Sequence, residues 1–438
     1  MKLEKDLFSP MKQMIIHGGK PLQGDVWIGG AKNSTVALIP AAILSRTTVT
    51  LEGVPRISDV DNLMDLLGEM NVACEFSETT LKVNPEQIKL SPLPAGKVKS
   101  LRASYYFMGA LLGRFGQATV GFPGGDDIGP RPIDQHIMGF EALGASVQNK
   151  NDQIIITAPA SGLHGAEIRL EMPSVGATMN IIMASVTAKG KTVIANVAKE
   201  PEIIDLATFL NNMGAVIRGA GTDTIRIDGV PELRAQVAHT IIPDRIEAGT
   251  YVSLAACMGN GIRIHNIIAE HLDAFLAKVE EMGVVIKTDE DSLYVYPAGE
   301  LKMVQVKTEP YPGFATDLQQ PVTPLLLTAK SGEGIILDSI YPRRTRHIPE
   351  LQKMGAKVKV EDNIILVHPG TQLHGAEVTA DEIRAGACLM VAGLMADGTT
   401  KINNADNILR GYDRVVQKLT QLGADVSIVD VPEPAYES

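Results

Sequence analysis

The residues of this chain that could do chemistry are a run of acids in a glycine-proline loop and a set of cations where apolar helices begin. The loop spans Gly121 to His136, Gly-Phe-Pro-Gly-Gly-Asp-Asp-Ile-Gly-Pro-Arg-Pro-Ile-Asp-Gln-His. Its four glycines and three prolines rule out regular helix or strand, because Gly costs backbone entropy while Pro removes a donor and fixes φ. It presents a paired acid (Asp126, Asp127), a single cation (Arg131) and a further acid (Asp134), directly after the strand-like Ala118–Phe122. Long loops inside compact domains are often functional. A solvated turn with ordinary charges would have the same composition, so the rest of the chain decides.

The second set stands at Ala31-Lys32-Asn33, Leu101-Arg102-Ala-Ser104, Ser174–Thr178, Asp244-Arg245-Ile-Glu247, Gly313–Asp317 and Glu382-Ile-Arg384. Ser174 and Thr316 read first as capping residues. Lys32, Arg102 and Arg384 do not, since a cation at a helix N-terminus opposes the dipole and needs another reason to be there. Gathered at one cleft, six positive helix termini and these cations would form an anion site. No dinucleotide fingerprint or phosphate loop is present: Gly125–Gly129 and Gly219–Asp223 lack the strand-to-helix setting and the Lys-Ser/Thr.

The elements that position these residues recur. Helical periodicity ends in a turn at Asn71, Gly144, Gly214, Gly283, Gly355 and Gly423, at separations of 73, 70, 69, 72 and 68 residues. Spacing this regular predicts six copies of one supersecondary unit. Each copy opens with a small-residue helix: Asn33–Leu44, Ala103–Leu112, Gly176–Ser185, Glu247–Ala256, Ala315–Gln320 and Ala385–Ala392. Most are apolar all round and should be buried. A β-branched strand follows (Thr47–Glu52, Lys191–Ala195, Gly334–Leu337), then an amphipathic helix and a closing strand such as Gln153–Thr157 or Ile364–Val367. Six units divide into two domains of three, with apolar helices inside and sheets outside, around a pseudo-threefold axis. An early strand around Met14 to Ile28 could join either trio.

Composition narrows the function. The chain has 438 residues, 45% of them hydrophobic and 21% charged, as in a globular protein of two or three domains. A net charge of −11, with no Lys/Arg run, argues against a nucleic-acid surface. The longest apolar runs fall short of the about 20 residues a membrane span needs, and no secretory signal is evident, so the cytoplasm is the expected location. The three cysteines, Cys74, Cys257 and Cys388, sit in separate apolar segments and read as buried thiols, without metal spacing or disulfide framework.

Over about Ile15 to Ile428 the chain resembles the UDP-N-acetylglucosamine 1-carboxyvinyltransferases. The resemblance is carried by Gly29-Gly-Ala-Lys-Asn33, Leu101-Arg-Ala-Ser104, Arg114-Phe-Gly-Gln117, the Pro123–Asp134 loop, Pro173-Ser-Val-Gly-Ala-Thr178, Glu200-Pro-Glu-Ile203, Ile242-Pro-Asp-Arg-Ile-Glu247, Pro312–Asp317 and Arg410-Gly-Tyr412. It implies an inside-out α/β barrel (α/β class), with an N-terminal three-repeat domain over 32–242, a C-terminal one over 1–31 and 243–438, and an active site in the cleft between them. The implied reaction moves the enolpyruvyl group of phosphoenolpyruvate to the 3-hydroxyl of UDP-N-acetylglucosamine, releasing phosphate, with no cofactor and no required metal. The implied partners are these two small molecules; no nucleic acid or membrane is expected, and the oligomeric state is not implied. By resemblance, Asp317 is the base that takes the hydroxyl proton; Lys32, Arg131 and Arg410 are the phosphoenolpyruvate cations, with Arg344 and Arg384 beside its carboxylate. Asn33, Arg102, Arg131, Pro132, Ile133, Asp134, Gln135, Ser174, Val175, Gly176 and Ile340 line the nucleotide sugar, although at Ile340 plain core packing serves as well.

The chain departs from that family at Asp126, where most members carry Cys. A thiol with a pKa of roughly 8.5 can donate a proton near neutrality, whereas an ordinary Asp near 3.9 costs about 4 kcal/mol to protonate at pH 7. Adjacent Asp127 and burial would raise it; Lys32 and Arg131 would lower it. Asp126 is nonetheless expected to serve as the acid, because some members carry Asp there, and fosfomycin, which alkylates the usual Cys, is expected to fail. Two alternatives remain. One is the shikimate-pathway enolpyruvyl transferase, whose Lys-Ser and Asn-Ala-Gly-Thr-Ala motifs are missing. The other is a catalytically idle, UDP-sugar-binding regulatory paralogue, which retention of Lys32, Arg131, Asp317 and Arg410 disfavours.

Overall fold

Each of the six turn residues has the backbone conformation its place requires. Asn71, Gly144, Gly214, Gly283, Gly355 and Gly423 have φ of 60°, 94°, 100°, 104°, 87° and 97°, the left-handed region that ends a helix and that Gly or Asn enters with least strain. The computed structural model describes residues 11–93, 102–122 and 132–432. Asp126 and Arg131 lie outside the described residues, as does the side chain of Arg102.

One repeat shows the plan. The strand Glu167–Arg169 leads through the helix Val175–Ser185 to a parallel strand, Lys191–Ala195; the helix Pro201–Asn212 and the strands Val216–Arg218 and Thr224–Asp228 follow. The last strand pairs antiparallel with both the second and the third, so the sheet order is third, fourth, second, first. A parallel pair needs a crossover, which the apolar helix supplies. Among the described residues five four-stranded sheets share this order, and the sixth, around Gln117–Gly121, Ser146–Lys150 and Gln153–Thr157, has three strands.

Contacts divide the chain into two units. One takes in Gly29 to Asp244, the other Arg245 onward together with the opening strands up to Ile28. Met14–Ile28 is not one strand. It is Met11–His17 and Leu22–Trp27, interrupted at Gly18-Gly19, where Gly19 has φ +79° and a Cβ on Gly18 would lie 2.2 Å from the carbonyl oxygen of Gly393. Met11–His17 fills the fourth place of the sheet of Thr399–Asn403 and Asp425–Val431, and Leu22–Trp27 takes the first place beside Gly259–His265. The matching strand of the first repeat is His239–Thr240, parallel to Val49–Glu52.

Three apolar helices make the centre of each unit's core. In the first, Tyr106–Phe115 packs on Lys32–Ala41 and Val175–Ser185; in the second, Thr316–Thr328 packs on Arg245–Met258 and Ile383–Met395. Where Gly109 meets Val175–Ser185, its N–H donates to Asn180 Oδ1 (2.8 Å), and a Cβ would fall 2.3 Å from the Asn180 carbonyl oxygen. Thr316–Thr328 runs on past Gln320, where the sequence pattern stops, through Pro321 and Pro324. Pro removes a helix donor, yet this helix is buried along most of its length, and packing outweighs the lost bonds. Cys388 is buried, while Cys74 and Cys257 are only half-buried, which corrects the expectation for those two. Among the described residues no helix is long and apolar enough to cross a membrane.

Candidate active site

In the unit beginning at Gly29, Lys32 starts the helix Lys32–Ala41. Asp244 offsets the dipole conflict by accepting the Lys32 N–H at 2.8 Å, and Asp59, itself buried, stands 3.4 Å from the ammonium. Asn33 beside it is half-buried. Ser174 caps the helix Val175–Ser185 by accepting the Ala177 N–H at 3.3 Å, and Val175 and Gly176 are half-buried at its opening turn. Gly176 is tightly packed: a Cβ would lie 2.8 Å from the Tyr105 hydroxyl and 3.1 Å from His136 Cε1, so a side chain there would have to displace Tyr105. His136 is buried, with Nδ1 3.1 Å from Asn180 Nδ2. Pro132 and Asp134 are exposed and Ile133 is half-buried; Gln135 accepts the Glu171 N–H at 3.0 Å through Oε1, which ties this segment to the chain ahead of Ser174.

In the other unit three of the expected residues meet. Asp317, in the first turn of Thr316–Thr328, accepts from Arg344 Nη1 at 2.7 Å on one oxygen and from Arg384 Nε and Nη2 at 3.3 Å on the other. The two arginines are 4% and 2% exposed, while the Asp317 side chain is 26% exposed, so the carboxylate is the accessible end of a buried charge network. Arg344 turns its remaining edge to Glu382 in a fork (Nε–Oε1 3.0 Å, Nη2–Oε2 2.9 Å). Burial works against the Arg344 charge, but Glu382 and Asp317 overcome it and hold its pKa well above the ordinary range. Burial likewise opposes ionisation of Glu382, and Arg344 wins there too, so its carboxyl lies below the usual value. Thr316 is no cap. Its hydroxyl donates to Asp338 at 2.6 Å and accepts from Arg344 at 3.3 Å. Asp338 also accepts the N–H groups of Ile340 and Tyr341 (2.9 Å each), and Ile340 is half-buried rather than core. Arg384 lies over the Tyr412 ring at 5.4 Å, and Arg410, two residues before Tyr412, is half-buried with Nη1 3.2 Å from Asn407 Oδ1.

Asp59, Asp338 and the role of Glu382 were not legible in the sequence. Their partners lie tens of residues away and no motif marks the pairing. His347 is a further such residue. It is fully buried beside Glu382 and Arg344, and its pKa is pulled down to about 3: burial dominates, Glu382 pulls the other way and Arg344 adds to the fall. The unfolded chain therefore binds this proton first, near pH 6.5, and stability drains as pH falls from there toward the folded value. Urea unfolding at pH 7 and 4.5 should show a loss of which about 2–3 kcal/mol disappears in His347→Gln. An equal loss in both proteins would contradict this.

The EPSP synthase (3-phosphoshikimate 1-carboxyvinyltransferase) family model matches residues 16–419. A UDP-N-acetylglucosamine 1-carboxyvinyltransferase of Lactobacillus johnsonii is 82% identical over 421 residues, covering 96% of this chain and 100% of its own. UDP-N-acetylglucosamine 1-carboxyvinyltransferase 1 of Streptococcus agalactiae is 54% identical over 420 residues, again covering 96% and 100%. Among solved structures the enolpyruvyl transferase NikO from Streptomyces tendae superposes with a TM-score of 0.87 at 24% identity, covering 97% of this chain and 100% of its own. EPSP synthase from Acinetobacter baumannii gives 0.72 at 15%, covering 96% and 100%. At those identities the two structures speak for the fold alone.

Proposed function

The chain belongs to the EPSP synthase family, which matches nearly its whole length, and from that premise we propose how it works as a UDP-N-acetylglucosamine 1-carboxyvinyltransferase. It transfers the enolpyruvyl group of phosphoenolpyruvate to the 3-hydroxyl of UDP-N-acetylglucosamine in peptidoglycan synthesis. The observation that carries the assignment of roles is the partly exposed Asp317 carboxylate held between two buried guanidiniums. C3 of the enol takes a proton, the sugar oxygen attacks C2, and phosphate leaves from the tetrahedral adduct as the C3 proton is withdrawn again. Asp126 supplies the proton, and Asp317 takes the one the sugar hydroxyl loses.

Both substrates are polyanions, so cations must neutralise charge at fixed positions. Lys32, Arg131 and Arg410 take the phosphate, and Arg344 and Arg384 take the carboxylate of phosphoenolpyruvate. The last pair has a second consequence. A carboxylate held by two guanidiniums is a poor base, and an arriving substrate carboxylate competes with Asp317 for them, freeing it to accept a proton when the substrate is present. Asn33, Arg102, Pro132, Ile133, Asp134, Gln135, Ser174, Val175, Gly176 and Ile340 hold the nucleotide sugar. The domains run over 32–242 and over 1–31 with 243–438, and the protein acts in the cytoplasm.

The experiment is acceptor dependence. Phosphate release from phosphoenolpyruvate is expected only with UDP-N-acetylglucosamine and not with 3-phosphoshikimate. Release with the latter alone, or with neither, would overturn the reading.

A further inference from the structure

Among the described residues, the reaction as described leaves one buried cation, Lys418, unused. Lys418, on the helix Val415–Gln421, is 7% exposed, and its ammonium lies 2.6 Å from Glu247 Oε1 and 3.3 Å from Asp413 Oδ2. Glu247 and Asp413 are 2% and 8% exposed. Burying a lysine with two carboxylates is costly, and hydrophobic residues of similar volume usually stabilise as well or better. Stability alone is therefore a weak reason for the trio, and what it connects suggests a stronger one.

Glu247 belongs to the central helix Arg245–Met258, and Asp413 to the turn that carries Arg410. One helical turn beyond Glu247, on the same face, the Thr250 hydroxyl is 3.0 Å from the hydroxyl of Tyr412. The turn is thus joined to the helix at two consecutive residues, directly at Tyr412 and through Lys418 at Asp413. Its backbone leaves little slack: Gly411 packs so closely that a Cβ would lie 2.4 Å from Ile383 Cγ2, and Arg414 is left-handed at φ 45°. Tyr412 in turn supports the Arg384 guanidinium.

We propose that Glu247, Lys418 and Asp413 form a clasp of positioning residues that holds the 410–414 turn against the Arg245–Met258 helix and so presents Arg410 to phosphoenolpyruvate in one orientation. Held by the clasp, Arg410 need not be ordered by the substrate itself, and binding energy is not lost in that ordering. The inference rests on the assignment of Arg410 to phosphoenolpyruvate.

The test is steady-state kinetics of Lys418→Met, of the charge-balanced double variant Lys418→Met/Glu247→Gln, and of Arg410→Ala. Lys418→Met should raise the KM for phosphoenolpyruvate by about 10- to 100-fold while the KM for UDP-N-acetylglucosamine stays within about twofold. If that single variant does not fold, the double variant, which lacks the uncompensated carboxylate of Glu247, carries the test and should show the same split. Equal rises in both KM values, or no rise for phosphoenolpyruvate in a folded variant, would reduce the trio to structure and overturn the proposal. If Arg410→Ala leaves the phosphoenolpyruvate KM unchanged, the assignment of Arg410 fails and the clasp has nothing to position.

Discussion

Asp317→Asn should lower kcat by about 10²- to 10⁴-fold, the usual contribution of a positioned general base. The substitution is nearly isosteric and keeps an oxygen that can accept from Arg344 Nη1, the shorter contact at 2.7 Å. Arg344 also retains its fork to Glu382, so the network should survive and the fold with it. Arg384 is released more fully, because both of its contacts to Asp317 are to one carboxylate oxygen at 3.3 Å. The loss should therefore appear in kcat, with the KM for phosphoenolpyruvate equal to or below that of the parent protein, since the competing negative charge is gone. Phosphate release against substrate concentration measures both constants. A kcat within about threefold of the parent would remove Asp317 from the proton transfers.

The second large effect concerns Asp126. An epoxide such as fosfomycin needs a thiolate nucleophile, and a carboxylate is a much weaker one. The remaining thiols are poorly suited: burial pushes Cys74 up to about 11 and holds Cys257 and Cys388 higher still. Incubation with fosfomycin should therefore leave the parent protein active, whereas Asp126→Cys should be inactivated with one equivalent bound. Asp126→Ala should lose turnover by about 10²- to 10⁴-fold, as expected for a missing general acid. The sign of the pH effect follows from the group. A carboxylic acid must be protonated to donate, so its rate falls as pH rises through a pKa lower than that of a thiol, and Asp126→Cys should shift the alkaline limb upward. Rapid stoichiometric inactivation of the parent would refute the fosfomycin expectation, and full activity of Asp126→Ala would refute the acid.

What the sequence made legible was local. Gly214 and its equivalents follow amphipathic helices and must turn left-handed, and Val175–Ser185 is apolar on every face and has to be buried. Both facts repeat at a near-constant period, so the six units emerged before any contact was known. Pairing across distance was not legible. Arg384 and Asp317 are 67 residues apart and Arg344 and Glu382 are 38 apart, and neither spacing has meaning until segments from different repeats are placed side by side. Thr316 looked like a cap because its type and position fit one; only the neighbouring Asp338 and Arg344 show that its hydroxyl is already engaged. The break at Gly18-Gly19 was hidden for a related reason, since apolar alternation continues on both sides while the partners change.

The central claim is that this protein adds phosphoenolpyruvate across its enol to the sugar 3-hydroxyl and then eliminates phosphate. The most direct measurement is the reaction with UDP-N-acetylglucosamine in deuterated water, followed by NMR of the product. Protonation at C3 and its reversal should give one equivalent of phosphate and an enol ether on O3 whose vinyl carbon carries solvent deuterium. An enol ether on O3 with no deuterium would contradict addition and elimination, and no enol ether on the sugar at all would contradict the transfer itself.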